Sequence, residues 1–311
     1  RHNLIKTLRE LDGNARGAVY TEPLWGIPFN LYAPYVSVYM LALGVTDAQV
    51  GVIATISTVV QVLWTVLGGA ITDKLGRKRT TLVFDLVSWS VPCVIWALAQ
   101  DVRYFLVAAI INSVWRVTHC SWSCLLVEDT KPDLLVDVYS WVYISGLLAA
   151  FVAPLAGMLI GSFGLVPTMR GLYGVAAVMM ASKAVTMNAL VVETTQGRVR
   201  MTETADQGLL DVLRGSGAVL RQIARSPQTL YTLALMMVFN VVAVIRASFW
   251  PILVSQEIGV RDGQLAIYPV VRSLTMFFFF FGLMPKVKRF ILLGNYDERI
   301  PMMVGFGLFG V

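Results

Sequence analysis

Charged residues are scarce in this sequence, and their scarcity excludes whole classes of protein. Only 14% of its 311 residues are Asp, Glu, Lys or Arg, against about 25% in an ordinary soluble domain. Hydrophobic residues make up 57%, so too few charges remain to cover the surface of one or two soluble domains. The apolar excess must face lipid. The composition therefore predicts an integral membrane protein and excludes a soluble enzyme.

Histidine and cysteine are rare as well, and no pattern among them indicates catalysis. The two histidines and three cysteines form no metal-ligand spacing and no CxxC pair. No pair of carboxylates falls at membrane depth to form a catalytic site. A phosphate-binding GxxxxGK[ST] loop is also missing, which argues against ATP-driven pumping. We expect neither an enzyme nor a resident metal or cofactor. The residues concerned are His2, His119, Cys93, Cys120 and Cys124.

The basic excess of the chain is modest, with a formal net charge of +6. Its Lys and Arg residues stand in short clusters between apolar runs rather than in one stripe. This distribution is typical of contact with an anionic membrane surface and not of nucleic-acid binding. The expected macromolecular partner is therefore the lipid bilayer.

Long apolar runs recur along the whole chain. A bilayer core about 30 Å thick needs roughly 20 apolar residues per helix, and such runs are too long for the strands of a membrane barrel. The sequence predicts eight full spans and the start of a ninth near Ile300, and both ends look cut. The predicted spans are 24–43, 50–71, 80–99, 104–127, 138–166, 171–192, 230–254 and 264–284.

The distribution of basic residues orients the spans. Most of the 25 Lys and Arg residues fall on one side of the predicted membrane, and the positive-inside rule then places the N-terminus in the cytoplasm of a plasma-membrane protein. Residues 1–192 form a predicted six-helix bundle and 229–311 the incomplete first part of a second. The polar segment 193–228 is a cytoplasmic linker. Its amphipathic run, 209–223, predicts either a helix on the inner surface or a partly disordered connection.

Two internal repeats carry information about architecture. Residues 43–50 read LGVTDAQV and residues 258–265 read IGVRDGQL, so the seventh span restarts the first in the same orientation. We expect the glycine to end one helix and the aspartate to begin the next. Residues 67–76 and 155–164 share a second, glycine-rich pattern at opposite membrane sides. Inverted three-helix units of this kind are typical of transporters, although such glycines also serve simple close packing.

The loop after the second span reads GAITDKLGRKR over residues 69–79. It resembles the signature G-x-x-x-D-[RK]-x-G-[RK]-[RK]-[RK] of the major facilitator superfamily and matches every defined position. The resemblance extends from about Tyr20 to Val311. It implies an all-α membrane fold of twelve helices in two six-helix bundles related by a pseudo-two-fold axis. This chain would hold eight full helices and part of a ninth.

In that family the loop acts as a latch that holds one conformation closed on the cytoplasmic side. The resemblance assigns this role mainly to Asp73 and Arg77. We expect Gly69 to permit tight helix contact and Gly76 a sharp turn, with Glu128 and Asp129 as partners of Arg77. The latch set is Gly69, Asp73, Lys74, Gly76, Arg77, Lys78, Arg79, Glu128 and Asp129.

The fifth span reads AAFVAPLAG over residues 149–157 and resembles the antiporter motif G-x-x-x-G-P-x-x-G in part. Pro154 and Gly157 match, and we expect them to serve helix packing. Ala149 and Ala153 replace two glycines of the motif, so the direction of transport stays open.

Polar residues at bilayer depth are expensive and mark candidate sites. In the fourth span, Asn112, Arg116, His119 and Ser123 are spaced to share one helical face, which lines a cavity or packs against another helix. We expect Lys183 to snorkel to the interface and Asp85 to be a latch or surface carboxylate, which leaves no midplane proton carrier. The predicted substrate-binding set is Asn30, Asn112, Arg116, His119, Asn240, Arg246 and Arg272.

These residues predict secondary transport of a small solute by alternating access. The buried bases favour an anionic solute over a cation, and a proton or another ion is an open possibility for coupling. A multidrug efflux antiporter is one alternative. A non-transporting membrane receptor or scaffold on the same fold is another.

Overall fold

The structure is a computed structural model that describes residues 8–9, 11–215, 217 and 224–278. All regular structure in this part of the chain is helical. The predicted ninth span and the end of the eighth lie outside the described residues, as does most of the second half of the amphipathic run.

The described helices follow the order of the predicted spans, and several spans are interrupted. The first span is Gly13–Tyr32, a 3-10 turn Ala33–Tyr35 and Val36–Ala42; the second is Asp47–Leu75; the third is Arg77–Ala97, with a π-helical turn Leu86–Ser90; the fourth is Val102–Asn112 and Trp115–Val127. The fifth is Leu135–Phe163, with a 3-10 turn Ala150–Val152; the sixth is Leu165–Leu190; the seventh is Pro227–Glu257, ending in a π-helical turn Leu253–Glu257; the eighth begins at Ile267 and is described to Phe278.

Five of these helices are long and apolar enough to cross a membrane. They are Asp47–Leu75, Arg77–Ala97, Leu135–Phe163, Leu165–Leu190 and Pro227–Glu257. Their exposed surfaces are rich in Val, Leu and Met, as expected of helices that face hydrocarbon.

The first helix begins at Gly13, well before the predicted start of its span at residue 24. The Asn14 amide fixes this early start, because it donates to the carbonyl of Val192 at 2.9 Å and accepts from the N–H of the same residue at 2.8 Å. A buried apolar cluster continues the contact through Ala18 and Met187. The extension brings Glu22 inside a spanning helix.

The fourth span is not one continuous helix, so Asn112 lies on a different helical segment from Arg116, His119 and Ser123 of the predicted polar face. Its first segment ends at Asn112 and its second begins at Trp115. Between them, the Ser113 hydroxyl is 2.7 Å from the Ala109 carbonyl and 3.1 Å from the Ser57 carbonyl. Such bonding of a serine to its own helix bends or interrupts the helix.

Both copies of the first repeat turn at a glycine with positive φ, Gly44 at 83° and Gly259 at 75°. In the first copy the helix begins at Asp47, as expected, and Thr46 caps it through a reciprocal capping box with Gln49. Arg261 replaces the threonine in the second copy and cannot accept the bond. There a 3-10 turn, Asp262–Gln264, precedes the eighth span.

The second repeat places Gly76 and Gly164 in the same backbone conformation. Their φ and ψ are 84° and 159° for Gly76 and 83° and 163° for Gly164. Only glycine adopts this region readily. Each joins one helix directly to the next, so the predicted sharp turn at Gly76 is confirmed and recurs at the matching position of the repeat.

Candidate functional site

The side of the bundle that carries residues 73–79, here called the motif side, is organised around Arg77. The Arg77 side chain is only 4% exposed. Its Nη1 lies 3.0 Å from Asp73 Oδ1, and its Nη2 lies 3.0 Å from Glu128 Oε1. Its Nε also donates to both carboxylate oxygens of Glu128. The arginine therefore ties the second, third and fourth spans together.

Glu193, which sequence reasoning missed, completes this arrangement. Its Oε1 accepts from the backbone N–H of Arg77 at 2.9 Å and its Oε2 from that of Lys78 at 3.0 Å. The third span begins directly after a glycine, so no side chain of its own is available as a cap. A carboxylate supplied from the linker also complements the positive end of the helix dipole. Asp73 pairs with Arg77 and Arg200 instead of capping this helix.

The linker helix, Thr195–Glu203, packs against the motif through Arg200. The Arg200 Nη2 is 2.9 Å from Asp73 Oδ2, and its Nη1 is 2.7 Å from Glu203 Oε2. The hydrogen bonds to Asp73 and Glu203 raise the pKa of Arg200. Lys74 adds contacts to the backbone carbonyls of Thr204 and Gln207. At least this part of the linker is thus an ordered element of the motif side.

Of the remaining latch residues, some form hydrogen bonds and others are exposed at the surface. Asp129 accepts from the backbone N–H of Thr195 rather than from Arg77. Arg79 is exposed. Gly69 is exposed too, and no described atom lies within 4 Å of the position of a Cβ there. The close helix contact expected of Gly69 belongs to Gly68, where a Cβ would lie 3.4 Å from the Cα of Val117.

The side opposite the motif holds contacts between residues 1–192 and residues 227–278. Gly157 faces Gly263 so closely that a Cβ at Gly157 would clash with the Gly263 carbonyl. The Ser37 hydroxyl donates to the carbonyl of Ser248 at 2.6 Å. Pro154 lies in the first turn of the helical segment Ala153–Phe163, where its missing N–H is tolerated. On the motif side, the hydrogen-bond and ion-pair partners of Asp73 and Arg77 within the described chain all precede residue 205.

A cavity of about 270 Å³ lies between the two parts of the chain near this opposite side. It brings together Asn30 from the first span, Arg246 from the seventh and Arg272 from the eighth. The Arg246 guanidinium is 3.3 Å from the Tyr268 hydroxyl. Further lining residues include Phe29, Trp250, Pro251, Gln264 and Leu265. We call this space the solute cavity.

Two other predicted residues, Arg116 and Asn240, meet each other outside the solute cavity. Arg116 Nη2 donates to Asn240 Oδ1 at 3.3 Å, and its Nε donates to Gln61 Oε1 at 2.9 Å. Its guanidinium carbon lies 4.1 Å from the centre of the Trp115 ring. Arg116 thereby connects the fourth, second and seventh spans. Asn112 joins neither site, because its amide donates to the Ser88 carbonyl at 2.7 Å.

A separate cavity of about 120 Å³ is lined by residues of the first bundle, and we call it the inner cavity. Lys183 is 5% exposed there and pairs with Asp85 at 2.6 Å. The predictions that Lys183 snorkels and that Asp85 lies at the surface are therefore wrong. The residues that line the inner cavity are Glu22, Trp25, Asp85, Trp89, Trp115, Thr118, His119, Trp122 and Lys183.

Sequence reasoning missed Glu22 because the first span was begun at residue 24. The apolar residues Ala15, Ala18 and Val19 already continue the helical period upstream of Glu22. That signal could have placed the carboxylate in the membrane. The opposite charges of Asp85 and Lys183, at similar depth from one side, could likewise have been paired.

The fold and these sites define a multi-pass, all-helical membrane protein with polar cavities among its spans. A family model, the Major Facilitator Superfamily, matches residues 25–311. The chain belongs to this superfamily, which confirms the resemblance of residues 69–79 and the all-helical membrane fold. The family indicates a transporter and not an enzyme.

Two comparisons show how far this likeness extends. An uncharacterized MFS-type transporter of Bacillus subtilis (strain 168), YqjV, is 26% identical over 168 residues, which are 51% of this chain and 41% of YqjV. A crystal structure of the nucleoside transporter NupG aligns with a TM-score of 0.59 at 14% identity and covers 84% of this chain and 64% of that one. The chain thus spans less than two thirds of either protein, and the likeness to NupG is one of fold.

Proposed function

We propose that the protein transports a small solute across the plasma membrane by alternating access, with its motif side and N-terminus in the cytoplasm. The observation that carries the proposal is the solute cavity. Its lining comes from the first, seventh and eighth spans, so both predicted bundles contribute to it. A site between two bundles is the place that rocking of one bundle against the other exposes to either side in turn.

The charge of the solute cavity favours an anionic solute. Arg246 and Arg272 line it, and none of its described lining residues is Asp or Glu. Asn30, Gln264 and Tyr268 add neutral hydrogen-bonding groups. Guanidinium groups bind carboxylates and phosphates with paired hydrogen bonds. A solute with a carboxylate or phosphate group therefore fits this lining best.

The contacts between the two parts of the chain support an inward-facing conformation. Gly157 and Gly263, with Ser37 and Ser248, join them on the side opposite the motif. Within the described chain, Asp73 and Arg77 form their ion pairs with residues before 205. In this proposal the motif side opens to the cytoplasm. The clustered latch residues, Asp73 and Glu128 among them, contact the second bundle when that side closes.

Arg116 connects the first bundle to the seventh span. Its bond to Asn240 joins the fourth span to the seventh, whereas its bond to Gln61 lies within the first bundle. Each of these bonds involves a different span, so rocking must remake at least one of them. We assign Arg116 and Asn240 to the transport path on this ground, with His119 one turn further along the same helix.

Multidrug efflux is the second candidate, and the apolar part of the solute cavity favours it. Phe29, Trp250 and Pro251 offer a surface for bulky aromatic compounds. An efflux antiporter would accept several unrelated hydrophobic cations, whereas a carrier of anions would reject them because of the two arginines.

The test is flux in vesicles that contain the purified protein. Radiolabelled organic anions and organic cations are offered separately, and Arg246→Gln and Arg272→Gln are compared with Arg103→Gln, which changes an exposed arginine that does not line the cavity. The proposal expects saturable anion flux that falls at least about tenfold in the cavity variants, as loss of a charged hydrogen bond predicts, and is kept in Arg103→Gln. Saturable flux of cations alone would favour efflux, and no flux of any probe would favour a receptor or scaffold.

A further inference from the structure

One face of the fourth span carries two thiols that contact each other. Cys120 and Cys124 stand four residues apart in the continuous segment Trp115–Val127, which places their Cβ atoms about 5–6 Å apart on the same side of the helix. Both are free cysteines, and both are partly exposed. One thiol donates a hydrogen bond to the other. The helix therefore presents a preformed pair of thiols that a small reagent can reach.

This thiol pair lies between two groups of functional residues. Arg116, Cys120, Cys124 and Glu128 follow one another at intervals of four residues along the fourth span. At one end of this row, Arg116 bonds to Asn240 of the seventh span. At the other end, Glu128 pairs with the buried arginine of the latch. The thiol pair is therefore midway between a contact with the seventh span and the latch.

The second span adds a buried polar group that lacks a partner. Thr72 is 1% exposed, and its hydroxyl forms no hydrogen bond of good geometry with the described residues. That hydroxyl lies beside the Cys120 thiol. One turn earlier, a Cβ at Gly68 would lie 3.7 Å from the Cβ of Cys120, so the two spans are in close contact. Because unpaired buried polar groups are costly and rare, Thr72 indicates that the thiol pair holds an occupant with a polar atom of its own.

The geometry of the pair disfavours a disulfide and a zinc site. A disulfide brings two Cβ atoms to about 3.5–4.5 Å, closer than the separation of about 5–6 Å that the helix imposes, so it would strain the backbone. A structural zinc ion needs four ligands, and no group of three or more His, Cys, Asp or Glu in the described chain is placed to hold a metal ion. A single atom inserted between the two sulfurs lengthens the link and needs no third protein ligand.

Charge and shape select among the atoms that bind two sulfurs. Copper(I) on two thiolates leaves a net negative charge, which is expensive at membrane depth. A mercuric ion gives a neutral product but prefers its two sulfurs in a straight line on opposite sides, whereas these thiols touch. Trivalent arsenic holds three ligands in a pyramid, which keeps two sulfurs on the same side and leaves one position for a further group.

We propose that Cys120 and Cys124 bind trivalent arsenic, which they take up as uncharged arsenous acid. Each thiol displaces one hydroxyl group: two S–H and two As–O bonds break, two As–S bonds form, and the two protons leave with the two hydroxyls as water. Arsenic stays trivalent and the product is uncharged, so no charge is buried in the membrane. The third hydroxyl remains on arsenic and bonds with the Thr72 hydroxyl.

The second As–S bond gives the pair its advantage over a single thiol. It forms within one molecule, where the second sulfur acts at a high effective concentration. A monothiol in solution should therefore compete poorly, and a small dithiol should compete well. Cys93 offers an internal comparison, because its buried thiol contacts the thioether of Met180 at 3.9 Å, and a thioether has no proton to exchange for arsenic.

The test measures arsenic bound to the purified, reduced protein in detergent. The protein is mixed with arsenous acid, separated from the excess by gel filtration, and analysed for arsenic and for free thiols. The wild type should retain one arsenic atom per chain, lose two free thiols, keep the arsenic in 2-mercaptoethanol and release it to 2,3-dimercaptopropanol. Cys120→Ser and Cys124→Ser should each retain none, and Cys93→Ser should retain as much as the wild type. Arsenic that survives in Cys120→Ser or Cys124→Ser, or is lost in Cys93→Ser, would overturn the site.

Thr72→Val tests the geometry without changing a thiol. Its affinity for arsenous acid should fall about two- to tenfold, as loss of one hydrogen bond predicts. Its affinity for phenylarsine oxide should not change, because a phenyl group then replaces the remaining hydroxyl. Thr65→Val removes a hydroxyl that bonds to the Gln61 carbonyl on the same helix and should leave both affinities unchanged. An equal effect of Thr72→Val on both arsenicals, or no effect on either, would overturn the placement of arsenic beside Thr72.

Occupation of the thiol pair should also arrest transport, a consequence that rests on the transport proposed above. The bound arsenic lies between the contact of Arg116 and the latch, where it obstructs closure of the motif side. Phenylarsine oxide should lower solute flux in the wild type and in Cys93→Ser but not in Cys120→Ser. If flux in the wild type is unaffected while arsenic binds, the arrest is overturned and the transport proposal stands. If no solute moves in any variant while arsenic binds as expected, the transport proposal fails and the arsenic site remains.

Discussion

Glu193 lies against the start of the third span, where its Oε1 accepts a hydrogen bond from the backbone N–H of Arg77 at 2.9 Å across a separation of 116 residues. The side chain of the same arginine holds Asp73 and Glu128. One residue of the motif is therefore fixed by its backbone to the linker and by its guanidinium to the bundle. The linker residue is as much a part of this cluster as the motif residues are.

This arrangement predicts that Glu193→Ala destabilises the protein more than loss of a surface charge does. The substitution leaves two backbone N–H groups of a helix start without their acceptor and should lower the free energy of unfolding by about 1–3 kcal/mol. Thermal unfolding in one detergent measures the change. Glu203→Gln, which breaks an exposed pair with Arg200, is the control and should cost at most about 1 kcal/mol. Equal melting of both variants would contradict this account of Glu193.

The matched backbone of Gly76 and Gly164 predicts two different costs for the same change. Gly164→Ala introduces backbone strain alone, since the nearest atom to its Cβ would be Pro167 Cδ at 4.0 Å; we expect about 1–3 kcal/mol. Gly76→Ala adds crowding, because its Cβ would lie 2.6 Å from Glu193 Oε2 and from the sulfur of Met201. Unfolding measurements should rank Gly76→Ala as clearly the more damaging. The reverse order would mean that the linker does not pack on Gly76.

The contact of Gly157 with Gly263 predicts that Gly157→Ala loosens the side opposite the motif. The added methyl group clashes with a backbone carbonyl that cannot rotate away, and overpacking of this kind costs about 1–3 kcal/mol. Labelling of a cysteine placed at buried Ala266 by an impermeant thiol reagent should become faster. Gly69→Ala, the matching position of the repeat, has open space around its Cβ and should leave labelling unchanged. Faster labelling in Gly69→Ala only would contradict the assignment.

Sequence reasoning reached the membrane fold because its signals are local. Span length, the glycine turns and the motif of residues 69–79 depend only on residues close together in the sequence. The structure contains all three. What it missed depends on distant partners. Glu193 was assigned to a linker, although it caps a helix more than a hundred residues earlier. Hydropathy alone began the first span too late in the chain, at residue 24, and so left Glu22 outside it.

The same limit explains the errors in the candidate site. A spacing of three and four residues says nothing of an interruption, and Ser113 separates Asn112 from the rest of the predicted face by bonding to its own helix and to the second span. Lys183 looked like a snorkelling residue because its partner, Asp85, is 98 residues away. Charge pairs across a bundle are set by packing, which a single sequence does not record.

The bond between Arg116 and Asn240 predicts energetic coupling between the fourth and seventh spans. Arg116→Gln and Asn240→Ala are made singly and together, and thermal unfolding supplies a double-mutant cycle. We expect a coupling of about 0.5–1.5 kcal/mol, because one charge-assisted hydrogen bond is shared, at 3.3 Å. Gln61→Ala paired with Asn240→Ala is the matched cycle: Gln61 bonds Arg116 through a different nitrogen, so its coupling to Asn240 should be smaller. If the bond is remade during transport, the coupling between Arg116 and Asn240 should fall when a bound solute shifts the conformation. Additive effects of Arg116→Gln and Asn240→Ala in the unliganded protein would contradict the contact itself.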